Sequence, residues 1–204
     1  MRIREIKQTS PERLTLIFDD GTELKTTLGV VTDRFLCSGT ELDGEEYASL
    51  CSASTLSLAK ARALRIIGAR PVSAKMLRDK LVEKGETPDN ADECVSWLED
   101  MGLIDDRSYA GSVVRHYAAK GYGASRVKQE LRRHGIAPEL FDEALAEMPQ
   151  QDEALLRYIR THLTDPDDRG QVKKVSDALF RRGYGWDEIK HALNSFKAET
   201  EDNF

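Results

Sequence analysis

The stretch Arg126-Val127-Lys128-Gln129-Glu130-Leu131-Arg132-Arg133-His134-Gly135-Ile136 shows how the chain is organised, because its pattern occurs three times. Aligning Gly85, Gly135 and Gly183 brings similar residues into the same columns. Apolar residues occur eight positions before each glycine (Leu77, Val127, Val175), four before it (Leu81, Leu131, Leu179) and ten after it (Val95, Leu145, Leu193). A polar residue directly precedes each glycine (Lys84, His134, Arg182), and an acid follows four positions after it (Asp89, Glu139, Asp187). A recurrence every ~50 residues is typical of a repeat protein.

Each repeat is predicted to contain three helices. The glycine is placed to end the second helix in a left-handed conformation, and a further amphipathic helix precedes it in each copy. These first helices are Ala59–Ile67, Tyr109–Tyr117 and Ala154–Leu163. We therefore predict a mainly α fold of tandem three-helix repeats that stack into an elongated, curved body. The predicted repeats are residues 54–104, 105–149 and 150–198.

The first part of the chain has a different pattern. Two β-prone runs, Leu14–Phe18 and Thr22–Thr26, flank Asp19-Asp20-Gly21, and Asp-Gly is a strong hairpin signal. Short helices are expected at Val30–Leu36 and Asp43–Cys51. Residues 1–53 are thus predicted to form a small appendix with a β-hairpin or three short strands. Residues 199–204 are predicted to be a disordered tail.

Composition places the chain among globular proteins. Of its 204 residues, 40% are hydrophobic and 32% are charged, and its formal net charge is −6. The acidic excess lies in residues 1–53, whereas six basic residues and one acid lie between Arg115 and His134. Without an apolar signal segment or a membrane-spanning run of ~20 residues, we expect a cytoplasmic protein. Three widely spaced cysteines, Cys37, Cys51 and Cys94, are expected to be reduced and buried.

Side chains that often carry catalysis occur here without a catalytic pattern. The four histidines are dispersed, so surface positions are favoured over metal ligation. The acid pairs Asp19-Asp20, Asp105-Asp106 and Asp167-Asp168 fall at turns or helix starts, where carboxylates cap backbone amides. The main aromatic residues follow helical spacing, which predicts core positions for Trp97, Tyr109, Tyr117, Phe141, Trp186 and Phe196. We expect no enzyme activity, no cofactor and no metal.

Basic clusters are the strongest candidates for function. They recur on the second helix of the second and third repeats, and arginine favours phosphate or carboxylate partners. A solvated charged face with no partner is the alternative. The candidate partner-binding residues are Arg70, Lys80, Arg115, Lys120, Arg126, Lys128, Arg132, Arg133, Lys173, Lys174, Arg181 and Arg182.

Several of these segments resemble the RecX family of bacterial regulators, which bind the RecA recombinase. Gly102-Leu103-Ile104-Asp105-Asp106-Arg107-Ser108-Tyr109-Ala110 resembles the family's junction between the first two repeats. Lys120-Gly121-Tyr122-Gly123, followed by Glu130 to Ile136, resembles its most characteristic segment. The first-repeat pattern is matched by Arg70, Ser73, Leu77, Lys80 and Leu81. The resemblance covers about residues 54–196.

The resemblance implies binding in the groove of the RecA filament on single-stranded DNA. Such binding would inhibit recombinase, ATPase and co-protease activity, with effects on DNA repair by homologous recombination and on the SOS response. It implies a monomer, with weak direct DNA contact possible. Two other classes stay open: a stand-alone nucleic-acid-binding repeat protein, since three-helix units resemble helix-turn-helix modules, and a metal-dependent hydrolase that uses the acid pairs.

Overall fold

A computed structural model describes residues 1–201 and contains a three-stranded sheet followed by ten α-helices. The strands are β1 (Ile3–Ser10), β2 (Arg13–Phe18) and β3 (Glu23–Thr27). The helices are α1 (Leu28–Asp33), α2 (Gly44–Ala69), α3 (Ala74–Glu83), α4 (Pro88–Asp100), α5 (Asp106–Ala119), α6 (Ala124–Arg133), α7 (Phe141–Ala146), α8 (Asp152–His162), α9 (Arg169–Arg181) and α10 (Trp186–Glu201). The prediction of a mainly helical chain with a small N-terminal sheet is confirmed, whereas its elongated, curved shape stays a prediction.

The sheet is antiparallel in the order β1-β2-β3. Between β2 and β3 the Asp20 carboxylate accepts a hydrogen bond from the amide of Thr22, at 2.9 Å. Gly21 has a φ of 84°, which a residue without a Cβ adopts at little cost. On the inner side of β2, Leu16 and Phe18 are fully buried. The expected hairpin is therefore part of a three-stranded sheet.

One long helix crosses the predicted boundary between appendix and first repeat. Instead of a break after Cys51, α2 runs for 26 residues from a capping box formed by Asp43 and Glu46. No glycine or proline interrupts residues 45–67, so nothing in the backbone favours a stop there. The buried Ser54 hydroxyl donates to the Thr26 hydroxyl of β3, at 2.9 Å. The expected break after Cys51 is therefore absent, because α2 runs from the sheet into the first repeat, while the bounds of the N-terminal appendix stay a prediction.

The chain divides into two compact units, residues 1–104 and the residues from Asp105 onward. The first unit has two apolar cores, one under the sheet and one among α2, α3 and α4. The second unit also has two, one in the segment from α5 to α7 and one in the segment from α8 to α10. Each predicted repeat thus contains its own core, although the repeat bounds themselves stay predictions.

The glycine alignment has a common structural basis. Gly85, Gly135 and Gly183 follow α3, α6 and α9 with φ values of 91°, 74° and 92°. Each glycine amide donates to the carbonyl three residues earlier, and the following amide donates to the carbonyl five residues before it. These two bonds define a Schellman cap, which requires the left-handed conformation that glycine adopts most easily.

Three details differ from the sequence-based expectations. Cys37 is exposed and Cys51 half-buried, so only Cys94 is a buried cysteine; none of the three is paired. Trp186 is 56% exposed and stacks on Phe180 instead of entering the core, because it opens α10 on the outer side of the cap. Helix α10 continues to Glu201, so residues 199–201 are helical, and the rest of the predicted tail lies outside the described residues.

Candidate partner-binding surfaces

The four cations predicted on one helix all lie on α6, but on two sides of it. Val127 and Leu131 form the buried stripe, and the cations flank this stripe. Arg126 and Arg133 lie on one side, since residues seven apart share a helix face. On the other side are Lys128 and Arg132. The helix therefore does not present a single four-cation stripe.

Most of the α6 cations are occupied within the protein. Glu130, whose side chain is only 4% exposed, lies 2.7 Å from Arg126 and 3.8 Å from Arg133. Lys128 lies 3.6 Å from Asp142, and the Arg132 guanidinium lies over the Phe141 ring at 5.4 Å. These contacts reduce the positive charge available to a partner. The sequence analysis missed the contacts with Asp142 and Phe141 because these two residues come from α7.

Aromatic side chains connect α5 with α6, and Tyr117 contacts the buried carboxylate of Glu130. Burial and a hydrogen bond to that carboxylate raise the pKa of Tyr117. The Tyr109 hydroxyl and Nδ1 of His134 are 2.8 Å apart, and Lys120 lies over the Tyr117 ring. These contacts join α5 to the C-terminal end of α6. Their first role is to stabilise this core.

The second and third predicted repeats meet through backbone atoms. The amide of Gly123 donates to the carbonyl of Arg182 at 3.0 Å, and the amide of Ser125 donates to that of Gly183 at 3.1 Å. A Cβ on either glycine would overlap the opposite backbone. Close approach, together with the left-handed cap at Gly183, accounts for glycine at both positions.

Arg182 contributes to the same junction. Its guanidinium lies 4.7 Å from the Tyr158 ring centre and 5.8 Å from that of Tyr122. Beside it is a cavity of about 260 Å³ whose lining includes Lys120 and His162. The Arg182 guanidinium thus packs between aromatic rings, where it stabilises the fold as well as being a candidate for partner binding.

Three open candidate cations of the second unit lie on α9. Lys173, Lys174 and Arg181 are exposed, and no ion pair joins them to another of the described residues. Arg115, by contrast, lies 3.3 Å from Glu147 on the surface. Free arginine and lysine heads retain their full capacity to bind carboxylate or phosphate. Among the candidates in this unit, these three are the best placed to reach a partner.

In the first unit, the candidates Arg70 and Lys80 line a common cavity between α2 and α3. Its volume is about 810 Å³, and three further cations line it: Arg62, Arg65 and Lys84. The sequence analysis missed these three residues. Arg62 and Arg65 are three residues apart on α2, a spacing that places them on the same side of the helix and was available as a signal.

The groups considered for catalysis take structural positions. The carboxylates of Asp105 and Asp168 accept hydrogen bonds from the first amides of α5 and α9, and these bonds lower the pKa of Asp168. Within residues 1–201, no three His, Cys, Asp or Glu side chains come together as metal ligands. Over the same residues, no helix has the length and apolar character required to cross a membrane.

Comparisons with known proteins agree with this architecture. Models of the first and second three-helix domains of RecX match residues 59–98 and 105–145. The regulatory protein RecX of Xanthomonas axonopodis pv. citri is 36% identical over 135 residues, which cover 64% of this chain and 83% of that protein. Its counterpart in Vibrio campbellii is 32% identical over 151 residues, which cover 72% of this chain and 96% of that protein.

Solved structures extend the likeness to the fold. A crystal structure described as regulatory protein RecX covers 93% of this chain and 98% of its own, with a TM-score of 0.74 and 25% identity. The structure of RecX from Lactobacillus salivarius covers 72% of this chain and 99% of its own, with a TM-score of 0.65 and 24% identity. At that identity, the second match supports the fold alone.

Proposed function

The chain belongs to the RecX family of regulatory proteins, and on that premise we propose that it binds the RecA filament on single-stranded DNA and inhibits it. Inhibition covers RecA's recombinase, ATPase and co-protease activities, and through them recombination and the SOS response. The protein acts as a cytoplasmic monomer without catalysis of its own. The observation that carries the proposal is family membership over both repeat models.

The open cations are the proposed contact residues. Lys173, Lys174 and Arg181 in the second unit, and Arg70 and Lys80 in the first, carry most of the interaction. Ion-paired or stacked candidates such as Arg115 and Lys128 contribute less, because a partner has to compete with their present contacts. This ranking follows from the ion pairs of Arg115 and Lys128. Among the described residues, Lys173, Lys174 and Arg181 have no such pair.

The test is a titration of RecA's single-stranded-DNA-dependent ATP hydrolysis with this protein. Inhibition at less than one protein per RecA, weaker at high salt, is expected because exposed charges are screened over about 10 Å at 0.1 M salt. A gel-shift experiment without RecA provides the control for direct DNA binding. Unchanged ATP hydrolysis at equimolar protein, together with tight DNA binding alone, would favour the stand-alone nucleic-acid binder.

A further inference from the structure

Two neighbouring cavities in the first unit share Arg62. The larger, of about 810 Å³, lies between α2 and α3. The smaller, of about 430 Å³, lies between the sheet and α2, and its lining includes Arg13 and Lys25. Because Arg62 lines both, the two cavities adjoin at this residue. We call the two cavities together, with their lining residues, the α2 groove.

The α2 groove is strongly cationic in an acidic protein. Seven arginines and lysines line it, and Glu83 is the only carboxylate among its lining residues. Arg62 is paired with the nearly buried Glu86. In contrast, no ion pair joins Arg65, Arg70 or Lys84 to any residue between 1 and 201.

The placement of this charge has a physical basis. The last turns of α2 and α3 both contribute to the larger cavity. Carbonyl ends of helices carry a partial negative charge that stabilises nearby cations. The two helix ends therefore make the cation cluster tolerable with few carboxylates of the chain itself. The cluster stays available to an outside anion.

We propose that the α2 groove binds an acidic, extended segment of a protein partner, with carboxylates flanking an apolar anchor side chain. Guanidinium forks pair with carboxylates through two parallel hydrogen bonds, and three arginines line the larger cavity. Ile66 and Ala69 line the same cavity and provide apolar contact for the anchor. A segment of this chemistry uses both features of the lining, because its carboxylates pair with the cations and its anchor contacts the apolar residues.

A polypeptide fits this lining better than nucleic acid does. Sites for single-stranded nucleic acid stack bases on aromatic side chains, and no residue that lines either cavity is aromatic. The surrounding residues 1–53 carry 10 acids against 6 basic residues, which repel a long polyanion. A short segment with a few carboxylates meets the cations without spreading charge over the acidic surface.

This inference rests on the proposed function only in assigning Arg70 and Lys80 to a protein partner. It adds Arg13, Lys25, Arg62, Arg65 and Lys84 as contacts, and it gives the N-terminal sheet a part in binding. The peptide experiment below requires no RecA. If the peptide does not bind, the α2 groove proposal fails whether or not the protein inhibits RecA. The two failures are therefore distinguishable.

The experiment uses the full chain and a fluorescein-labelled peptide of about ten residues, with Asp and Glu flanking one Phe, in fluorescence anisotropy. Saturable binding that weakens with salt is expected. Arg65→Glu should reduce affinity about tenfold or more, because it removes a charge-assisted contact and adds repulsion. Lys84→Glu is a second variant with the same expected loss, so that the proposal can still be tested if one of the two variants does not fold. Circular dichroism checks that each variant is folded.

Lys190→Glu is the matched control, because it makes the same charge change at an exposed lysine of α10, in the other unit. It should leave peptide affinity within about twofold. A peptide with Asn and Gln in place of the acids should not bind. The proposal is overturned if the acidic peptide fails to bind, if folded Arg65→Glu binds as wild type, or if oligothymidylate displaces the peptide at lower concentration than an unlabelled copy does.

Discussion

Helices α3 and α6 have the same length and the same glycine cap, yet opposite charges at the start of their last turns. Both are ten residues long, and both bury an apolar residue eight and four positions before the glycine. Five positions before the glycine, α3 carries Lys80 and α6 carries Glu130. Glu130 holds the neighbouring arginines of α6, whereas Lys80 opens on the α2 groove with other cations.

This difference distinguishes the positions that maintain the three-helix fold from the charged positions that vary between copies. The apolar columns and the glycine maintain the three-helix unit and tolerate little change. The charged positions between them differ between copies: Glu130 is buried and paired with its arginines, whereas Lys80 is half-buried and lines the α2 groove. In α6 they support packing against the next repeat, and in α3 they are left for a partner. Equal positions in a repeat therefore do not imply equal use.

The largest expected effect concerns the caps of the repeats. Gly183→Ala should destabilise the second unit by about 3 kcal/mol or more, since a Cβ would overlap the backbone of Arg126 in addition to straining a left-handed residue. Gly85→Ala is the matched control, with nearly the same φ and no atom within 4 Å of the added Cβ. It should cost about 1–2 kcal/mol. Urea unfolding measures both, and equal losses would contradict the close approach at Gly183.

The next effect tests the charge five positions before the glycine in the two helices. Glu130→Gln should cost about 1–3 kcal/mol, because Arg126 loses the partner of its half-buried guanidinium. Lys80→Gln, at the matching position of α3, should change stability by less than about 0.5 kcal/mol, as expected for a site without a buried network. Thermal unfolding distinguishes these values. A larger loss for Lys80→Gln would show that α3 depends on its cation for folding.

A smaller effect depends on pH and arises in the first repeat. Burial raises the pKa of the Cys94 thiol from its ordinary value of 9.0 to about 11. Between these values the unfolded chain binds fewer protons than the folded one, so stability falls as pH rises, by about 1–2 kcal/mol. The residues at the matching positions are Ala144 and Ala192. Cys94→Ala should be nearly neutral at pH 7 and should lose less stability than wild type on going from pH 8 to pH 10.5, measured by urea unfolding.

The apolar pattern predicted the repeats because burial and cap geometry are local. A column such as Leu81, Leu131 and Leu179 reports the core directly, and all three are fully buried. The continuity of α2 was missed because its start and the first repeat were interpreted as separate segments. Absence of a helix breaker near Cys51 was the available signal.

The candidate site was only partly predictable. Which cations lie near one another on a helix follows from spacing, so the two sides of α6 were within reach of the sequence. Whether a cation is free depends on residues far along the chain, such as Glu147 for Arg115. The α2 groove likewise requires the packing of α2 on the sheet and on α3. Spacing alone does not give either arrangement.

The central claim, that open cations of the second unit bind the RecA filament, is tested most directly by comparing two triple variants. One replaces the open residues Lys173, Lys174 and Arg181 by glutamine, and the other replaces the ion-paired residues Arg107, Arg115 and Lys128. Both remove the same charge from the same unit, and affinity for RecA filaments on single-stranded DNA is measured over a range of salt. The account predicts a loss of about tenfold or more for the open set, with a shallower salt dependence, and about twofold or less for the paired set. Equal losses for the two sets, or no binding by the wild-type protein, would contradict it.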